Sequence, residues 1–164
     1  MLSRLRNTLC LFCTVSLLIF LATGLCGCKS KYRFAQGKDT HEAFGDGEYQ
    51  LVRLPDKSMG LNNCDKNVFV MYDVKSYQET GSNVYFFGRS PYSWTDDCGS
   101  LFAILNTETN DFQWVVDEDS SSTEQRQQLE EYFQHFLSGE PITIISFSEI
   151  SQEDRDILLK ILKE

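Results

Sequence analysis

Acid–base or nucleophilic chemistry needs a titratable group held beside a partner, and few residues of this chain offer such spacing. There are 2 histidines. His135 follows Glu131 by one helical turn, so a carboxylate could orient its imidazole as a base, but no nucleophile stands beside the pair in sequence. An exposed i,i+4 pair on a solvated helix face is the simpler reading. His41 falls in a stretch that reads as linker. A catalytic thiol at Cys64 or Cys98 would have to find its base in one of these two histidines. No G-x-S-x-G, H-E-x-x-H, P-loop or dinucleotide fingerprint occurs. Two carboxylates far apart in sequence can still hydrolyse a glycoside, but nothing marks such a pair here. The expectation is a non-enzymatic protein with no catalytic residue and no cofactor.

Asp117-Glu118-Asp119 is the one acidic run that resembles a cation loop. Against the calcium-loop template it offers acids at the first and third positions, but Ser122 replaces the turn glycine and Gln128 the bidentate glutamate. It also stands at an expected helix N-terminus, where negative charge is favourable without an ion, so no metal site is expected. The segment Arg89–Gly99 (RSPYSWTDDCG) is the better candidate for recognition. Pro91 stiffens it, and Tyr92 and Trp94 alternate beside Asp96 and Asp97. Aromatic rings next to carboxylates on a loop suit a sugar, a cationic group or a partner protein. The alternative is that Trp94 folds back onto the sheet.

The first 28 residues have a different character. Arg4 and Arg6 precede Leu9–Ala22 (LCLFCTVSLLIFLA), an apolar run too short for an ordinary spanning helix but of h-region length. Leu25-Cys26-Gly27-Cys28 follows, and with the run before it resembles the lipobox of bacterial lipoproteins. The resemblance implies a diacylglyceryl group on the Cys28 sulfur, cleavage after Gly27 and a membrane anchor of two or three acyl chains, which hold where one chain does not. It covers the leader alone. Cys26 fits less well, since Leu25 would then stand where a small residue is required. Lys29, where enteric lipoproteins retained at the inner membrane carry Asp, implies delivery to the periplasmic face of the outer membrane. In a cell with a single membrane the protein would face outward.

Removal of the leader takes Cys10, Cys13 and Cys26 with it, and Cys28 is acylated. Cys64 and Cys98 then remain as the expected disulfide of an exported domain. Closing a loop of roughly 35 residues would stabilise by about 3–4 kcal/mol. Charge separates along the chain. The segment from Lys29 to Lys38 (KSKYRFAQGK) has no acid, whereas from Asp39 onward all 24 acidic residues face nine basic ones. The basic stem would sit against anionic headgroups or act only as a solubilising linker. A net charge of −9 excludes a nucleic-acid binder, which needs a basic face.

With 164 residues, 41% hydrophobic and 13% aromatic, and no internal repeat, the chain has material for one globular domain behind its leader. Strand patterns run over Glu48–Leu54, Asn67–Val74, Asn83–Gly88, Leu101–Asn106 and Asp111–Val116, the last with Phe112, Trp114 and Val116 on one face. Ser121-Ser122-Thr123-Glu124 is a capping box for a helix whose apolar stripe is Leu129, Tyr132, Phe133, Phe136 and Leu137. Pro141–Phe147 reads as a short strand or extended link. Ser151 caps a last helix with Ile157, Leu158, Ile161 and Leu162 buried.

The expectation is an α+β domain: a small antiparallel sheet of about five strands with both C-terminal helices on one face. An incomplete β-barrel with the helices as lids is the alternative. Residues 1–27 are read as signal peptide, 28–47 as lipidated basic tether and 48–164 as the domain. Three functions fit: a membrane-anchored binding or accessory module for an envelope protein or glycan, an inhibitor or immunity-type lipoprotein, and an envelope hydrolase. The first is preferred.

Overall fold

A computed structural model of the chain describes residues 33–91, 100–116, 120–136 and 142–163. The chain divides into two units at Lys31/Tyr32, and all described residues belong to the second. Eight strands among them form one sheet in sequence order: β1 (Thr40–Phe44), β2 (Tyr49–Arg53), β3 (Met59–Asn63), β4 (Val68–Thr80), β5 (Asn83–Arg89), β6 (Ser100–Asn106), β7 (Phe112–Val116) and β8 (Ile142–Ser146). Neighbours are antiparallel except β7 and β8, which are parallel. A parallel pair needs a crossover, and helix α1 (Ser120–Phe136) lies in that connection. Helix α2 (Gln152–Ile161) ends the described chain.

Eight strands replace the expected five or so. Thr40–Phe44, read as linker, is β1, so the folded region begins upstream of the expected start at Glu48. Met59–Asn63, which carried no strand signal, is β3. The 13-residue β4 pairs with β3 along its first part and with β5 along its second. Between them the register jumps from Tyr72↔Arg89 to Ser76↔Phe87, and Asp73 takes φ 46°. Such a bulge bends the strand and raises its twist. Gly88 lies opposite, where a Cβ would come within 3.0 Å of the Tyr72 carbonyl oxygen and the Val74 Cα, so only glycine lets the backbones approach this closely.

The bend folds the first strands over the inner face of the later ones. Phe44 on β1 meets Tyr77 on β4 and Phe86 on β5 edge-on, with ring centroids 5.7 and 5.3 Å apart, and Tyr49 stacks on Phe112 at 5.2 Å. These rings, with Leu61, Leu105 and Trp114, are buried in the main core. The curl approaches the expected alternative of an incomplete barrel, yet β1 and β8 remain separate edges.

Period two along β7 sends Phe112, Trp114 and Val116 into this core, as expected, and Val115 to the other side. The helices follow the same division. Leu129 of α1 is buried in the main core, whereas Leu158 and Ile161 of α2 pack with Tyr85, Ile104 and Val115 beneath the opposite face. The two helices therefore cover opposite faces, not one: the β7–α1–β8 crossover takes one face and the returning chain takes the other. Ser151 caps α2 as expected, its side chain accepting from the Asp154 amide. Leu162, expected in the stripe, is instead the C-cap and is 45% exposed. Helix α1 begins at Ser120, one position ahead of the expected cap at Ser121.

Candidate functional site

Two surfaces at opposite ends of β6 are candidates, one polar and one aromatic. The polar one grows from the β1–β2 turn. Glu48 is buried there, accepting from Asn63 Nδ2 at 3.1 Å and from Asn110 Nδ2 at 3.3 Å. Asp46 accepts from the same Asn110 amide at 3.2 Å and from the Glu48 N–H at 3.1 Å. The Cys64 N–H donates to the Glu48 carbonyl at 2.7 Å. Buried polar groups need partners, and here the partners join three turns: β1–β2, β3–β4 and β6–β7.

Chemically this cluster is poorly suited to catalysis. Asp46 and Glu48 converge, but the group between them is the Asn110 amide, where a hydrolase would hold water or substrate. Cys64 is a half-buried free thiol accepting from Asn62 Nδ2 at 3.5 Å. Burial, and then the Glu48 charge, push its pKa up against the opposing Asn62 donor. The thiolate, the reactive form, is thereby disfavoured. No group of three or more His, Cys, Asp and Glu among the described residues is arranged to hold a metal ion.

The aromatic surface lies on the α2 side of the sheet, toward the far end of β5 and β6. Phe87 pairs with Phe102 across these strands, their ring centroids 5.2 Å apart, and Phe102 lies 5.9 Å from Phe147 just after β8. Ile145 joins the same apolar cluster. The register explains the row: Phe87↔Phe102, Phe102↔Val115 and Val115↔Ile145 are successive cross-strand partners. Arg155 of α2 stacks over Phe147 at 5.5 Å and donates through Nη2 to the Phe147 and Ser148 carbonyls at 3.1 and 3.3 Å. All four apolar side chains are half-buried, because α2 covers Tyr85 and Ile104 and stops short of the row.

Several expected residues lie outside the described ones: Cys28, Cys98, Tyr92, Trp94, Asp96, Asp97 and Asp117 to Asp119. The Cys64–Cys98 bridge thus stays a proposal. His41 is exposed in β1, beside a register shift between Thr40 and Glu42, and is not in a linker. His135 and Glu131 are both exposed on α1, as the solvated-pair reading has it. No helix among the described residues is long and apolar enough to cross a membrane. Sequence reading missed Phe87 and Phe102 as surface residues. Their signal was present in adjacent apolar residues on β5, Phe86 and Phe87, which alternation must send to opposite faces.

No family model, no curated protein and no solved structure matches this chain.

Proposed function

We propose that the chain is an envelope lipoprotein, anchored through acylated Cys28, whose acidic domain is a non-enzymatic binding or accessory module for another envelope protein. The observation that carries the binding part is the half-buried row Phe87, Phe102 and Phe147. Side chains of this kind, partly exposed and clustered at the end of a rigid sheet, supply much of the energy in protein recognition. Phe87, Phe102 and Ile145 carry no hydrogen-bonding side-chain group, so the row suits an apolar side chain of a protein better than the hydroxyls of a glycan. The leader supports the anchoring part: a basic start, a short apolar run, and Cys28 in the sequence Leu-Cys-Gly-Cys.

The test is photo-crosslinking in the intact bacterial envelope. A photoreactive phenylalanine analogue placed at Phe102 should give one discrete protein adduct, weakened by Phe87→Ser in the same chain. The analogue at exposed Asp56, on the β2–β3 turn, should give none. Equal adducts from both positions, or none from Phe102, would set the binding surface aside. Cys28→Ser should leave the precursor uncut and unacylated, and normal processing of that variant would set the anchor aside.

A further inference from the structure

The chain enters the fold at a definite place. Arg33 is the first described residue, and its N–H donates to the Asp46 carbonyl while its guanidinium pairs with Asp65 at 3.5 Å. Asp46 in turn accepts from Asn110 in the β6–β7 turn. The entry point therefore lies at the Asn106 end of β6. The aromatic row lies toward the other end, where Ser100 pairs with Arg89. Six strand steps from Ser100 to Asn106, at about 3.3 Å each, place the two ends about 20 Å apart.

We infer that the end bearing Asp46, Asp65 and Asn110 faces the bilayer, and that the Phe87–Phe102–Phe147 row faces away from it toward a protein partner. This rests on the lipidation of Cys28 proposed above. From Cys28 to Arg33 there are five residue steps, and a fully extended chain covers about 17 Å in that length. With the phenylalanines in the headgroup layer, Arg33 would stand roughly 20 Å above it, beyond what the tether spans once any slack is allowed. A partly exposed apolar row on a membrane protein has two natural occupants, lipid or protein, and the tether length removes the first. Charge favours the same posture. Lys29, Lys31, Arg33 and Lys38 lie in the entry segment, and Arg33 and Lys38 are exposed, each cation near anionic headgroups being favourable.

The experiment uses the acylated full chain in lipid nanodiscs doped with a lipid carrying a nitroxide on its headgroup, read by amide NMR. Intact mass first establishes acylation. Gly45, Gly47 and Asp65 should then lose most of their signal, while Gly88, Phe102 and Ser148 keep theirs. Equal losses at both ends, or losses confined to the Phe102 end, in an acylated chain would overturn the orientation and leave the lipoprotein reading standing. A chain whose mass carries no acyl groups would overturn that reading, and the orientation with it.

Discussion

The Trp114 indole donates from Nε1 to the Val70 carbonyl oxygen across 2.9 Å, with both residues fully buried. This bond ties β7 to the first part of β4, across the fold made by the β4 bend. Trp114→Phe keeps much of the packing but leaves the Val70 carbonyl without this donor. The expected loss is about 1–3 kcal/mol from the unsatisfied group and the lost ring volume. Urea unfolding should show a lower midpoint with an unchanged slope. An unchanged midpoint would mean that the two halves of the sheet are not held together through this bond.

Gly45 is expected to be far less replaceable than Gly81, although both have positive φ, 60° and 62°. A Cβ on Gly45 would fall 2.5 Å from Asn110 Oδ1 and 3.0 Å from the Thr107 carbonyl oxygen, whereas one on Gly81 meets nothing within 4 Å. Gly81→Ala should therefore cost only the left-handed backbone penalty, about 1–2 kcal/mol. Gly45→Ala should cost more, because Asn110 must move and release Asp46 and Glu48. Equal losses in thermal or urea unfolding would show that the Asn110 link contributes little.

These turns explain why some elements were legible in the sequence and others were not. Strands β2, β5, β6 and β7 follow apolar alternation or branched and aromatic runs, and Ser151 marks α2. Strand β1 hides because it is an edge: His41 and Glu42 face water or other polar groups, and the register shift beside them breaks the period. Strand β3 hides for another reason. Its Gly60 and two asparagines are poor strand formers, but a Cβ on Gly60 would meet the Phe69 ring at 2.8 Å, and Asn63 is fully buried against Glu48. Tertiary contacts override propensity at both places. The aromatic row was invisible as a site because it is assembled from β5, β6 and the turn after β8, which only the register brings together.

Cys64 should react slowly with alkylating reagents in the reduced protein. Its raised pKa keeps the thiol protonated at pH values where an exposed cysteine is already partly thiolate. Glu48→Gln removes a charge that opposes ionisation and should speed alkylation at a given pH. Asn62→Ala removes the donor that favours the thiolate and should slow it. Mass spectrometry of the mature chain before reduction tests the proposed Cys64–Cys98 bridge directly: blocked until reduction if bridged, slowly modified if free. Fast alkylation at neutral pH without reduction would contradict the burial of this thiol.

Alkaline pH should unfold the domain through its tyrosines. The Tyr132 hydroxyl donates to the Phe69 carbonyl at 2.8 Å, and burial followed by the nearby Tyr72 pushes its pKa up from 10.0 to about 12. Tyr77 and Tyr85 are also raised, by burial first and then by donating to Glu42 and Asp154. A raised folded-state pKa means that the native state holds the proton more tightly. The contribution is therefore complete below pH 10.0 and is lost as pH rises toward about 12. Tyr132→Phe should lose about 1 kcal/mol at neutral pH from the missing hydrogen bond but show a shallower alkaline decline. Identical alkaline slopes in variant and parent would place the sensitivity elsewhere.

The exposed edge of β8 is guarded, and removing the guard should make the protein associate. The Phe147 N–H bonds to the Val116 carbonyl, so in this parallel pair Ile144 and Ser146 turn their backbone groups outward. Arg126 Nη2 takes the Ile144 carbonyl at 3.1 Å, the Glu149 carboxylate takes the Ser146 N–H, and the Glu149 N–H takes the Ser146 carbonyl at 2.9 Å. The Ser146 donor and the Arg126 charge hold the Glu149 pKa below the usual carboxylate range. An unguarded edge rich in isoleucine is a template for pairing with a second chain. The double variant Arg126→Ala/Glu149→Ala should sediment with a stronger concentration dependence than the parent and remain folded by circular dichroism. Sedimentation identical to the parent would mean that these two side chains do not protect the edge.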